Sequence, residues 1–149
     1  YAVQGFFDNG GQRCFIGRIT KAGATPAVSA SLKLDAGAAD ALTATAVGEG
    51  VWGNRIALKV GAGTFSGFKL SVYYWKTMPA ALYDPDTDLA TRPRPALVEV
   101  FDNLSVTESS PDYYGKRVNG ISNLIVLSQQ TGDSGAVPSV STTSTSGTR

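Results

Sequence analysis

Four stretches of this chain carry residue types that could do chemistry. Gly132-Asp133-Ser134-Gly135 has the glycine-flanked form found around a serine nucleophile, and Asp84, Asp86 and Asp88 alternate like the opening of a calcium loop. Gly61, Gly63 and Gly67 punctuate a turn in the manner of a nucleotide loop, and Cys14 is the single thiol. The chain contains no histidine, so no Ser-His or Cys-His dyad and no imidazole metal ligand can be assembled, and the Ser134 box is a chance match. An EF-hand calcium loop wants glycine at its sixth position and glutamate at its twelfth. Counted from Asp84, the chain offers Leu89 and Pro95 there, so the reading is a solvated acidic turn, with calcium as the alternative. A dinucleotide loop needs G-x-G-x-x-G at the opening of a helix. Here the third glycine comes one position late and residues 68–75 alternate with period two, which makes a hairpin loop. Cys14 lies between Arg13 and Phe15 in an apolar run and is expected as a small buried hydrophobe; alone it can form neither an intrachain disulfide nor a CxxC site. No catalytic residue, metal ligand or cofactor is assigned, and the chain is not expected to be an enzyme.

The totals narrow the field further. A chain of 149 residues has room for one domain, or for one domain with a tail. At 42% hydrophobic and 17% charged it can bury a core. A net charge of +1 gives no reason to expect nucleic acid or an acidic membrane as partner. No run of about 18 apolar residues is present to insert into a membrane. The chain starts at Tyr1 and is expected to be a piece or a processed form of something longer.

The organising stretch is residues 48–60. It opens as a glycine-punctuated turn and runs into a strand with Ile56, Leu58 and Val60 on one face and Arg55, Ala57 and Lys59 on the other. Gly48, Gly50 and Gly53 can take positive φ, Gly53-Asn54 allows a sharp reversal, and Trp52 is expected to be buried and to close one end of a small core. Before it, Val3, Phe6 and Phe7 have helical spacing that stops at Asn9-Gly10-Gly11, with Gly10 as a left-handed cap. Residues 13–19 read as a strand covered on both faces. Residues 21–41 read as a connection with a short helix near 36–42, and residues 42–47 as a short strand.

After the hairpin, residues 78–95 read as a long surface excursion. A strand at 97–106 should break near Asp102-Asn103. A helix capped by Ser110, with Pro111 at its first position, carries Tyr113, Tyr114, Arg117, Val118 and Ile121 and ends near Gly120. Residues 123–127 form the last strand, and 129–149 a flexible Ser/Thr-rich tail. The fold class is α+β: a small, mostly antiparallel β-sandwich-like module with one or two packed helices at 42–128. It is joined to a helix–strand edge of a larger α/β core at 1–20.

Three groups of these residues resemble the contractile tail sheath proteins, the subunits that coat the tube of contractile phage tails and related injection systems. They are Phe6, Phe7, Asn9, Gly10 and Gly11; Gly50, Trp52, Gly53 and Asn54; and Glu99, Phe101, Asn103, Leu104 and Ser105, followed by Asn119 and Ser122. The resemblance covers most of residues 2–128 and implies a structural homo-oligomer. Its hexameric rings stack helically around a tail tube and contract to drive that tube through a cell envelope. It also implies the tail tube protein and baseplate as further partners, engaged through parts mostly outside this chain. The implied location is the virion tail, or an equivalent contractile particle, assembled in the bacterial cytoplasm. Arg18, Lys116 and Arg117 against Asp86, Asp88 and Glu99 would then tune contacts between subunits. A different class of function is a small β-sandwich module that binds carbohydrate or a cell surface through exposed Tyr73, Tyr74, Trp75 and Tyr83. Tyr73 and Trp75, however, face one way in the strand and Tyr74 the other, so that part of this set must be core.

Overall fold

The computed structural model describes residues 1–17, 27–36, 39–81, 83–87, 93–129, 135–139 and 141–144. The protein is mostly β, with two antiparallel sheets and few helices. In chain order the elements are α1 (Ala2–Asp8), β1 (Ser31–Ala36), β2 (Ala39–Ala46), a 3-10 turn (Val51–Arg55), β3 (Ile56–Ala62), β4 (Phe68–Tyr74), β5 (Leu97–Leu104), α2 (Tyr114–Arg117), β6 (Ile125–Gln129) and β7 (Ser141–Ser144). One sheet has the order β1-β2-β6 and the other β5-β4-β3-β7.

The inward faces of both sheets meet in a single apolar cluster. Alternation on β3 sends Ile56, Leu58 and Val60 inward, and alternation on β4 does the same for Phe68, Leu70 and Val72; all six are 0–1% exposed. Burial of each such side chain contributes about 1.5–3 kcal/mol, so these two strands are the spine of the module. Leu34, Leu42, Ala44, Ala46, Ile125 and Leu127 supply the opposing face, and Tyr114 and Val118 close it from the side. Small residues where the 3-10 turn meets β2 bring the backbones close. A Cβ on Gly53 would lie 2.8 Å from Ala30 Cβ and 3.0 Å from Ala46 Cβ. Gly53 is therefore required by the approach of neighbours; of the three glycines here, only Gly50 takes a positive φ, at 113°.

Several expectations are corrected. Residues 13–17 form no strand; Phe15 and Ile16 are 87% and 79% exposed, and Cys14 is exposed rather than buried. Among the described residues no neighbouring strand satisfies their backbone groups, and hydrophobicity alone cannot make a ladder. The stretch read as a connection holds β1, and the helix expected near 36–42 is instead the β1–β2 hairpin, pairing Leu34 with Leu42 and Leu32 with Ala44. Alanine's helix preference there yields to tertiary pairing. The Ser/Thr tail contributes β7, which pairs with β3 from Ala57↔Ser144 to Val60↔Ser141. It covers backbone groups that β3 would otherwise leave open, and threonine suits a strand.

The second helix starts later than Ser110 and Pro111 suggest. Ser105 N–H donates to Asp112 O (2.8 Å) and Tyr114 N–H to Ser105 O (2.9 Å), which holds residues 112–114 against the end of β5. Helix begins only at Tyr114, the Ser110 hydroxyl accepts from Asp112 N–H instead, and Ile121 is 60% exposed. The break in β5 falls where it was expected. One extra β5 residue is accommodated between Leu70↔Phe101 and Phe68↔Leu104, and Asn103 takes φ 57°.

Gly53→Ala is expected to destabilise the module by about 1–3 kcal/mol through overpacking. Gly61→Ala, where a Cβ would meet nothing within 4 Å, serves as the control. Urea unfolding of the two variants checks the difference; equal midpoints would remove the close-packing role of Gly53.

Candidate functional site

The polar cluster with the most connections lies on the outer face of the β3–β4 pair. Of residues 78–95, read as a surface excursion, those described (78–81, 83–87 and 93–95) do not all stay at the surface. They fold back so that Tyr83 and Met78 pack with Ala57, Tyr73 and Trp75 into a second apolar cluster. Tyr73, Trp75 and Tyr83 are 1%, 1% and 8% exposed, with Trp75 6.0 Å from Tyr73 and 6.1 Å from Tyr83 between ring centroids. The Trp75 indole N–H donates to Pro93 O (3.1 Å), and the Tyr83 hydroxyl donates to the same carbonyl. Tyr74 turns to the inner side and packs on the main core. The aromatic set expected to offer an exposed platform for sugars is therefore interior.

At the rim of this cluster Lys59 Nζ donates to both carboxylate oxygens of Asp84 (2.8 and 3.0 Å) and to Asp86 Oδ2 (2.9 Å). The Tyr73 hydroxyl donates to the same Asp86 oxygen at 2.9 Å. Hydrogen bonds to Asp84 and then Asp86 raise the Lys59 ammonium well above its ordinary range, against the opposing effect of burial. Burial pushes the Tyr73 phenol up to about 12, helped by its bond to Asp86. For Asp84, burial favours the neutral acid, but the bonds from Lys59 and from Asp86 N–H outweigh it and hold the carboxyl below its usual value. A lysine held charged in this way is no nucleophile. A cation seeking these carboxylates would have to displace Lys59. Among the described residues no group of three or more His, Cys, Asp or Glu is placed to hold a metal ion. Asp88, the third member of the acidic turn, lies outside the described residues.

A second constellation sits at the β3–β4 hairpin tip. Asn103 Oδ1 accepts from Phe65 N–H (2.8 Å) and Ser66 N–H (3.2 Å), while Asp102 accepts from the Thr64 backbone N–H (3.1 Å) and hydroxyl. The Thr64 hydroxyl and then its N–H hold the Asp102 carboxyl below its ordinary range. Gly63 and Gly67 leave no room for a Cβ against Ser66 O and Leu104 O, and Gly67 takes φ 63°. Phe65 is left 91% exposed at the tip of this braced loop.

The residues singled out by sequence are not brought to one place. Gly50, Trp52, Gly53 and Asn54 lie at the start of β3; Phe101, Asn103 and Leu104 gather at the hairpin tip by its other end. Trp52 is half-buried rather than enclosed, edge-on to Tyr74 at 6.3 Å, with its indole N–H on Glu49 O (3.1 Å). The fully buried tryptophan is Trp75. Phe6, Phe7, Asn9, Gly10 and Gly11 belong to α1 and its stop: Asn9 Nδ2 donates back to Gly5 O (2.7 Å), and Gly10 takes φ 87°. Helix α1 buries none of its residues, and Phe6 and Phe7 are 43% and 47% exposed.

The last motif residues act on backbone. Glu99 accepts from the Ser122 hydroxyl, Asn123 N–H (2.9 Å) and Asn123 Nδ2 (3.2 Å). The Asn119 amide bonds both backbone groups of Leu127 at 2.8 Å, and Ser122 Oγ accepts from Leu124 and Ile125 N–H. Asp86 and Glu99 are thus both engaged within the chain. Lys116 donates to Glu108 O and Ser110 O, and Arg117 lies 3.9 Å from Asp112. Arg18 and the Gly132–Ser134 part of the serine box fall outside the described residues. The Lys59 cluster escaped the sequence reading; the signal available was a lysine on a strand whose neighbours on the same face are Ala57 and Tyr73. No family model matches the chain, and no curated protein matches it. Among the described residues no helix is long and apolar enough to cross a membrane.

Tyr73 holds its proton more tightly folded than unfolded, so its contribution to stability is full below pH 10 and is lost between pH 10 and about 12. Lys59, also raised, acts in the same direction. Urea midpoints measured across alkaline pH should fall over that window, and Tyr73→Phe should flatten the fall; an identical slope in the variant would contradict the assignment. At the tip, Asn103→Ala should cost about 1–3 kcal/mol by stranding loop N–H groups and straining the left-handed backbone. Asn103→Gly recovers only the backbone part, so thermal unfolding should rank wild type above Gly and Gly above Ala.

Proposed function

We propose that this chain is the outer, mostly β part of a contractile tail sheath subunit, with residues 1–20 an edge of that subunit's inner core. The two sheets form a sandwich-like unit that projects from the core. Like subunits assemble as rings stacked around a tail tube, and no residue here performs catalysis or holds a cofactor. Work is done by rigid-body movement from an extended lattice to a shorter one.

The observation that carries this reading is the apolar N-terminal segment left uncovered beside a self-contained β module. Val3, Phe6 and Phe7 on α1 are 43–47% exposed, and Phe15 and Ile16 almost wholly so. Such a stripe is stable only against further protein, which is what an edge of a larger domain would present. The motif residues add support, because they meet backbone needs rather than chemical ones: positive φ at Gly10, Gly50 and Asn103, and close approach at Gly53.

Antibodies raised against the 149-residue chain decide the matter by immunogold electron microscopy of lysates from cells that make the protein. Label along the outside of striped, contractile tubes is the expected result. Label confined to free protein or to cell surfaces, with tubular particles bare, would overturn the proposal.

A further inference from the structure

An asparagine followed by glycine can react with its own backbone, because glycine has no Cβ to obstruct attack of its amide nitrogen on the preceding side chain. The chain holds two such pairs, Asn9-Gly10 and Asn119-Gly120. Each follows a helix, and each glycine takes a positive φ, 87° and 79°. In sequence the two are equivalent, but the fold treats them in opposite ways.

Asn119 is clamped. Its Nδ2 donates to Leu127 O and its Oδ1 accepts from Leu127 N–H, both at 2.8 Å. Leu127 is 2% exposed, and Val118, directly before Asn119, is wholly buried. Turning this amide towards Gly120 N would strand two backbone groups of β6. Asn9 is exposed and has no such hold on the rest of the protein. Its Nδ2 donates to Gly5 O (2.7 Å), and Gly10 N–H donates to Phe7 O (3.0 Å), both contacts within the last turn of α1. α1 has seven residues and buries none, so this turn can open without disturbing either sheet.

We propose that Asn9-Gly10 is a self-modification site: in the folded chain it converts without an enzyme to aspartate and isoaspartate and so loosens the stop of α1, while Asn119-Gly120 is held unreactive. Solvent hydroxide removes the Gly10 amide proton, and Gly10 N bonds to Asn9 Cγ. The bond from Cγ to Nδ2 breaks and ammonia leaves. Water then opens the cyclic imide at either carbonyl, so that amide and water have become carboxylic acid and ammonia. The new carboxylate cannot donate to Gly5 O, and it sets negative charge at the helix end where the dipole is already negative. The isoaspartyl product also lengthens the backbone by a methylene group. The reaction needs only residues 5–11 and solvent, and is independent of the function proposed above.

The full chain is aged in mildly alkaline buffer and, in parallel, in concentrated guanidinium chloride, and peptides carrying positions 9 and 119 are followed by mass spectrometry and isoaspartyl methylation. In denaturant the two sites should convert at similar rates. In native buffer position 9 should convert at least about tenfold faster than position 119, the two bonds to Leu127 making the difference. Asn9→Gln, which disfavours the cyclic imide, should remove most of the isoaspartyl signal from the folded chain; circular dichroism confirms that the variant folds. Hydrogen exchange in aged protein should be at least about twofold faster at residues 5–11 and unchanged in β3 and β4. Equal rates at positions 9 and 119 in native buffer would overturn the proposal. So would an isoaspartyl signal that survives Asn9→Gln, or exchange at residues 5–11 that ageing leaves unchanged.

Discussion

A strand pair covered on both faces has no solvent side, and every polar group it carries must find a partner inside the protein. The β3–β4 pair is in that position, with the main core below and the Tyr73–Trp75–Tyr83 cluster above. Lys59 is the charge caught in this arrangement, its side chain 27% exposed. An unpaired ammonium there would be costly, and Asp84 and Asp86 remove the cost by folding over the sheet. Residues 83–87 are pinned by Lys59 and Tyr73, and the Pro93 carbonyl accepts from the two buried aromatic donors, Trp75 and Tyr83. β5 then starts alongside β4. One lysine thus holds residues 84–86 over the outer face of the sheet.

A comparable constraint operates at the hairpin tip, through backbone conformation rather than charge. The extra residue in β5 swings Asp102 and Asn103 out of the ladder, where their side chains meet the loop N–H groups that a tight turn leaves unpaired. Asn103 adopts the left-handed region that asparagine tolerates better than most residues. Bulge and loop are one unit, since each supplies what the other lacks. The Glu99–Ser122–Asn123 and Asn119–Leu127 contacts apply the same principle between β5, the turn after α2, and β6. Residues that resembled a family signature are thus mostly residues that satisfy somebody else's backbone.

What could be read in advance follows from how local the determinants are. The alternation of Ile56, Leu58 and Val60, the hairpin at 61–67, the helix stop at Asn9-Gly10 and the break at Asp102-Asn103 are written within a few residues of where they act. β7 and β1 are not. Ser141–Ser144 becomes a strand only because β3 lies next to it with an open edge, and alanine-rich β1–β2 only because Leu34 and Leu42 face a core built by distant segments. Likewise Cys14 and Trp52 were judged by hydrophobicity, whereas their exposure depends on which segments come to cover them. The Lys59 cluster was illegible for the same reason: a lysine on one strand and two aspartates some 25 residues later (Asp84 Oδ2 at 2.8 Å) announce nothing until the chain folds back.

These constraints divide the chain into two kinds of surface. Within the β module nearly every buried polar group is answered internally; among the described residues no buried side-chain nitrogen or oxygen lacks a partner. The N-terminal segment is the reverse: α1 buries none of its residues and leaves its phenylalanines half in water, with Phe6 and Phe7 edge-to-face at 5.3 Å. Between these extremes lies β5, which among the described strands pairs with β4 on one side and with none on the other. Apolar surface drives association without fixing its geometry, whereas an open backbone edge fixes geometry with little affinity.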